Sequence, residues 1–175
     1  MKLRQLSFIA ALLTAAAIAG SGGNPGPTAA PPLDAAVPEV IDLDGLGPVE
    51  FGDTEQELAR RGVLEPEAPC GPGLAGLDRV SPIFADERLV LLWASPPMRT
   101  PEGVTVGTPV SRVRAAYPDA TGLSAPAGTY RFDGLLARDG DRAYLFLHDG
   151  RTVRKTIAGY AEHARRLFDE GYSPC

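Results

Sequence analysis

One ten-residue pattern occurs twice in this chain, 55 residues apart, and it limits the available folds more than any other feature. The first copy is Val49-Glu50-Phe51-Gly52-Asp53-Thr54-Glu55-Gln56-Glu57-Leu58, and the second is Val104-Thr105-Val106-Gly107-Thr108-Pro109-Val110-Ser111-Arg112-Val113. Each reads as a short strand, a glycine turn, a helix cap and an amphipathic helix. In the first copy Asp53 is the expected cap, paired with Gln56, while Glu55 and Glu57 suit the positive end of the helix dipole. In the second, Thr108 is the expected cap and Pro109 takes the first helical position, where a missing N–H is no loss. Gly62 stops the first helix, and Tyr117-Pro118 stops the second.

Strand material follows each helix. Arg79–Phe84 and Arg88–Ala94 flank Ala85-Asp86-Glu87. Thr129–Arg138, Asp141–His148 and Arg151–Ile157 are separated by Asp139-Gly140 and Asp149-Gly150, both strong two-residue hairpin signals. A last helix over Tyr160–Asp169 sets Tyr160, Ala164, Leu167 and Phe168 on one face, with Gly171 as its stop. The sequence therefore predicts an α+β domain. Two strand–helix–antiparallel-strand repeats, about 42–98 and 99–175, form one sheet with helices on one face.

The ends of the chain speak to compartment. Residues 1–19 read as a secretion signal, with Lys2 and Arg4 ahead of the apolar run Leu6–Ile18 and Ala17-Ile18-Ala19 as the cleavage pattern. That run is shorter than the roughly 20 apolar residues of a membrane helix, and no later stretch is long and apolar enough to span. Ile18-Ala19-Gly20-Ser21 resembles a lipoprotein cleavage site, but Ser21 stands where the lipidated cysteine is required, so a freely secreted protein is expected. Residues 20–41, with Pro25, Pro27, Pro31, Pro32 and Pro38, read as a Pro/Gly/Ala-rich linker, and the folded part is expected from Asp42. Without the signal the balance is 15 basic to 22 acidic residues, which argues against nucleic acid as a partner. The two cysteines, Cys70 and Cys175, both fall in the exported part, where an even number favours a disulfide. Closing so long a loop is worth up to about 4.7 kcal/mol in the chain-entropy model.

The run apolar-x-apolar-Gly-Asp-Thr-x-x-Glu-Leu at 49–58 resembles the repeat signature of the β-lactamase inhibitory proteins. It is also similar to small lipoproteins of the outer-membrane barrel assembly machinery. In both families the run marks a strand-to-helix junction in a compact α+β unit. The tandem copies, export signal and cysteine pair are closer to the inhibitory proteins, so the resemblance implies docking on a secreted enzyme across a concave sheet. The chain departs from both families in placing Asp53-Thr54 and Thr108-Pro109 where Met usually precedes Thr. It also has cysteines for one disulfide, where the inhibitory proteins carry one in each unit.

Residues that could carry chemistry have simpler uses. Gly71-Pro72-Gly73-Leu74-Ala75-Gly76 has the letters of a dinucleotide loop, but no strand precedes it and Pro72 removes a donor N–H. His148 and His163 lack a nucleophile elbow or a metal-binding spacing, so both are read as structural. The seven acids of Glu39–Glu57 are assigned mainly to caps and solubility, and Asp42-Leu43-Asp44-Gly45 lacks the remaining calcium ligands. No catalytic residue, cofactor or metal is expected. A two-residue Asp149-Gly150 turn would oppose Phe146 to Val153 and Leu145 to Arg154. The aromatic face of Tyr144 and Phe146 would then be core, and the face of Leu145 and Leu147, with Thr152 and Arg154, would be open to a partner. Trp93, the sole tryptophan, sits in a strand apolar on both faces and is read as core ahead of an interface anchor; with it, the candidate partner-binding residues are Trp93, Leu145, Leu147, Thr152 and Arg154. Arg99 and Glu102 flank the connection between the units, where a groove could form. The expected function is that of a monomeric, non-enzymatic, inhibitor-like binding module with an extracellular or envelope protein as partner. A structural accessory of the cell envelope is the alternative, and a small hydrolase is a third class.

Overall fold

The structure is a computed structural model that describes residues 39–65 and 71–171. The expected signal, nearly all of the linker, and Cys70 and Cys175 with their expected disulfide lie outside the described residues. In chain order the elements are β1 (Gly45–Leu46), β2 (Val49–Glu50), α1 (Glu55–Arg60), β3 (Leu64–Glu65), β4 (Gly73–Leu74), β5 (Val80–Ala85) and β6 (Arg88–Ala94). Then follow α2 (Val110–Ala116), β7 (Thr121–Leu123), β8 (Asp133–Asp139), β9 (Arg142–His148), β10 (Val153–Tyr160) and α3 (Ala161–Glu170). The architecture is α+β. Six strands form an antiparallel sheet in the order β5-β6-β10-β9-β8-β7, and β1-β2 and β3-β4 form two small ladders.

Alternation along β9 assigns the two faces of the large sheet. Tyr144 and Phe146 join Leu135 and Leu92 in a core covered by Leu58 of α1 and Val113 of α2. Leu145, with Leu136 and Ile157, belongs to a second core covered by Ala161, Ala164, Leu167 and Phe168 of α3. The helices thus lie on both faces, which corrects the expectation of helices on one face. The cause is in the strand itself: β9 is apolar on both sides, so neither face can be left to water. Exposing Leu145 or Ile157, both 0% exposed, would cost about 1.5–3 kcal/mol each.

Both copies of the ten-residue pattern make the same set of backbone bonds. Gly52 N donates to Leu89 O (2.9 Å), Leu89 N to Asp53 O (2.8 Å) and Glu55 N to Glu87 O (3.1 Å). In the second copy Gly107 N donates to Val153 O (2.8 Å), Val153 N to Thr108 O (2.9 Å) and Val110 N to Arg151 O (2.9 Å). The glycines have φ of 98° and 91°, a region that a side chain disfavours. Each copy therefore holds the start of a central strand, β6 or β10. One residue further on, both strands bulge: Val90 and Arg154 are left out of the pairing ladders.

The caps sit one residue later than expected in both copies. Thr54 caps α1: its Oγ1 accepts from Glu57 N (3.2 Å), and the Glu57 carboxylate accepts from Thr54 N (2.8 Å). Pro109 is the N-cap of α2. The expected caps are occupied elsewhere. Asp53 Oδ2 accepts from Glu50 N (2.8 Å) and pairs with Arg61, while Thr108 Oγ1 accepts from Thr105 N (3.0 Å).

The turn between β9 and β10 is also longer than expected. Asp149 Oδ1 accepts from Arg151 N (2.9 Å) and Thr152 N (2.8 Å), which opens the loop to Asp149–Thr152. Thr156 then lies opposite Phe146, and Ile157 opposite Leu145. Thr156 therefore joins the aromatic face and Ile157 the leucine face, the reverse of the two-residue-turn register. At the domain's start, Ile41 is fully buried and Val40 bridges Arg99, so packing begins ahead of Asp42.

The β5–β6 hairpin turns on Asp86 and Glu87, at φ of 49° and 62°. Left-handed backbone costs a non-glycine residue about 1–2 kcal/mol, and tight turns of this kind favour asparagine followed by glycine. The double substitution Asp86→Asn with Glu87→Gly should raise stability by about 1 kcal/mol in urea unfolding. Unchanged or lower stability would show that the turn is not strained.

Candidate functional site

The leucine face is covered by α3 only in part. Helix α3 ends at Gly171, which takes φ of 69° and closes it. Next to the buried Leu145–Ile157 pair, Leu147 and Lys155 face each other across β9 and β10, and both are half-buried. Trp93 of β6 pairs with Ile157 and shares this face, and it too is half-buried. Gly134 of β8 lets Phe168 lie on the sheet: a Cβ there would be 3.1 Å from the Phe168 ring. Leu167, Phe168 and Gly171 form one wall of a groove of about 240 Å³, and the segment Tyr130–Phe132, leading into β8, forms another. Tyr130 projects completely into solvent.

Two cations line this groove. Lys155 Nζ lies 4.3 Å from the Trp93 ring centroid, and the Arg131 guanidinium carbon lies 5.6 Å from that of Phe168. Arg131 Nη1 also donates to Asp169 O (3.2 Å) at the end of α3. Among the described residues no acidic side chain lines the groove, and neither cation has a carboxylate within salt-bridge distance. The site is locally basic on a chain of net charge −5.

The structure therefore brings together two of the five candidate residues, Trp93 and Leu147. Leu145 is 0% exposed beneath α3 and offers no surface to a partner, because the face expected to be open is the one α3 covers. Thr152 bridges Pro109, and the exposed Arg154 is the bulge residue, 3.8 Å from Asp149 in an ion pair; both sit at the hairpin end. Arg99 pairs with Glu39, and Glu102 accepts from the Tyr117 hydroxyl. Tyr130, Arg131, Phe132 and Lys155 complete the groove and lie outside the residues to which the sequence points. The sequence places this Tyr-Arg-Phe run within a strand from Thr129, whereas β8 starts at Asp133 and leaves the run free to line the groove.

The acids of 39–57 are mostly engaged locally. Asp42 Oδ1 accepts from Asp44 N (2.9 Å) and Gly45 N (2.8 Å), Asp53 and Glu57 act as described above, and Glu39 meets Arg99. His163 packs edge-on to Tyr160, with ring centroids 6.1 Å apart. It also lines a smaller cavity of about 160 Å³ between α3 and the edge strand β5. Among the described residues no three His, Cys, Asp or Glu side chains are grouped to hold a metal, and no helix is long and apolar enough to cross a membrane. Comparison with protein-family models, with curated proteins and with solved structures finds no match for this chain.

His148 is 8% exposed, and its Nδ1 accepts from Gly150 N (3.1 Å), so the ring is held neutral with its hydrogen on Nε2. Burial pushes its pKa below the ordinary range, and nearby Asp133 opposes this only in part. On the same face Tyr117, Tyr144 and Phe146 pack with centroids 5.3–5.8 Å apart. The Tyr117 hydroxyl bonds both the Glu102 carboxylate and the Thr100 hydroxyl; its one hydrogen goes to the carboxylate. Burial first, and Glu102 second, push the ionisation of Tyr117 and Tyr144 well above its usual range.

The signs follow by linkage. An unfolded chain binds a proton on His148 below pH about 6.5 while the folded chain resists it, so stability is full above that pH and falls below it. The two buried phenols hold their protons while unfolded tyrosines lose theirs above pH about 10, so stability falls again there. Urea midpoints measured from pH 5 to pH 11 should show both losses. His148→Gln should flatten the acid limb alone, and Tyr117→Phe should weaken the alkaline limb alone.

Proposed function

We propose that this domain is a non-catalytic binding module of the inhibitor-like kind, which docks on an exported protein through the groove of Trp93, Leu147 and Tyr130. The observation that carries the reading is the exposure of a complete tyrosine side chain beside a half-buried tryptophan, on a sheet with both faces otherwise covered. Tryptophan, tyrosine and arginine are the residues that dominate binding energy at protein interfaces. A groove of about 240 Å³ is smaller than the usual small-molecule pocket of about 300–1,000 Å³. His148 is buried and its Nδ1 is occupied by the Gly150 N–H, which favours the non-catalytic reading over the hydrolase.

We also read the domain as two related units, with α1 and α2 as equivalent helices and β6 and β10 as equivalent strands. Support comes from the matched bonds at Gly52 and Gly107 and from bulges one residue after Leu89 and Val153. In this reading β6 and β10 meet antiparallel about the Trp93–Ile157 pair, which holds equivalent positions of the two units. This arrangement is what the likeness to the β-lactamase inhibitory proteins implies. As in that family, the working surface would belong to the strands and not to the repeated pattern. Secretion, on the reading of residues 1–19 as a signal, completes the proposal.

Purified protein should capture a stoichiometric exported partner from culture medium. Tyr130→Ala should weaken that complex about ten- to thirty-fold, equivalent to about 1.4–2 kcal/mol, without changing the urea midpoint. Arg112→Ala, on the exposed surface of α2 across the sheet, should leave the affinity unchanged. Equal affinity for the wild type and Tyr130→Ala would remove the groove as the docking surface.

A further inference from the structure

Resting on the reading of the groove as the docking surface, we infer that its occupant is an extended, acidic peptide segment of the partner. That segment sets an apolar or aromatic side chain on Trp93 and Leu147, and its carboxylates against Lys155 and Arg131. Charge complementarity carries the choice. The groove has two cations, no acid in its lining and no carboxylate partner for either cation among the described residues, on a chain that is otherwise acidic. An acidic partner is disfavoured by the chain's net negative charge and attracted at this groove, which favours docking there. A basic partner would meet the reverse, attraction at large and repulsion at the aromatics.

The cations are also held in place. Lys155 lies over the Trp93 ring and Arg131 over Phe168, with Arg131 tied further to Asp169 O. Each therefore keeps its charge at the rim of an apolar floor, where a carboxylate can reach it without leaving its own apolar neighbour exposed. Arginine adds planar, two-point recognition of a carboxylate, which its single bond to Asp169 O leaves available. The shape favours a chain over a compact ligand. The groove runs from Trp93 past Leu147 to the projecting Tyr130, with an aromatic or aliphatic side chain at each step and a cation beside two of them. Apolar side chains on the floor with carboxylates reaching the cations at the rim meet that pattern on an extended segment.

The test uses three synthetic ten-residue peptides that share a Tyr/Leu/Pro framework and differ in carrying four Glu, four Gln or four Lys. Binding is read by the emission of Trp93, the single tryptophan of the chain. The Glu peptide should bind at least ten-fold tighter than the Gln peptide at low salt, the gap should shrink as salt rises, and the Lys peptide should not bind. Lys155→Glu with Arg131→Glu should invert the order of Glu and Lys peptides. Equal binding of Glu and Gln peptides, or a Glu preference that survives the double reversal, overturns the inference. If the captured partner is lost on Tyr130→Ala yet insensitive to the charge reversal, the docking surface stands and only the acidic chemistry fails; insensitivity to both removes the surface itself. Gly171 lines the groove, and residues 172–175 come after it in the sequence. If the Glu peptide binds only to a chain ending at Gly171, the occupant is the protein's own tail and the inference is overturned.

Discussion

Everything on the large sheet depends on two backbone bonds, from Gly52 N to Leu89 O and from Gly107 N to Val153 O. They fix where β6 and β10 begin and hence which way each side chain on these two central strands points. Because the side-chain period in a strand is two, a slip of one residue would exchange the faces. Trp93 and Lys155 would turn into the aromatic core, while Leu92 and Thr156 would face α3. The bulges at Val90 and Arg154 add a second condition, since each reverses the phase once, directly after the anchored residue. Val90 and Leu91 are consequently both on the α3 side, where alternation alone would split them. Gly159 completes the arrangement: a Cβ there would lie 2.2 Å from Val90 O, so only glycine lets β10 approach β6 at the bulge.

The groove follows from a shortage of helix. A helix of ten residues is about 15 Å long and, with side chains, about 10–12 Å across. A sheet of six strands spans about 24 Å between its outer strands, and strands of seven residues run about 23 Å. One such helix covers only part of that face. It takes the middle, over Leu145 and Ile157, and leaves Trp93, Leu147 and Lys155 at the rim. Gly134 deepens the arrangement by admitting Phe168 to the sheet surface. The uncovered end is thus apolar in its floor and cationic at its edge, because Lys155 and Arg131 cover aromatic rings while keeping their charges in water.

What was legible in the sequence was local. The strands around Trp93 and Tyr144, the last helix and its Gly171 stop follow from periodicity and turn chemistry within a few residues. The twin pattern is visible too, but its caps are displaced because Asp53 and Thr108 bind the preceding turns, a choice made by distances that spacing does not encode. The Asp149 side chain, by accepting from two later backbone N–H groups, lengthened a turn that Asp149-Gly150 alone would make short. Leu145 was misplaced for a different reason. Both faces of β9 are apolar, so the sequence could show that each needed cover but not that α3 would take the leucine side. Half of the groove was within reach, as Trp93 and Leu147. The other half comes from Tyr130, Arg131 and Phe168, which meet those strands only through the fold.

The central claim is that the rim of the α3 face is where this protein meets its partner. The indole N–H resonance of Trp93 tests it most directly, since the chain has one tryptophan and the spectrum one such signal. On addition of the captured partner the account predicts that this signal shifts or broadens together with the amides of Tyr130 and Leu147, while those of Gly52 and Gly107 stay in place. An unchanged indole signal, with perturbations gathered instead around Asp53 and Arg61 at the two ends of α1, would contradict it.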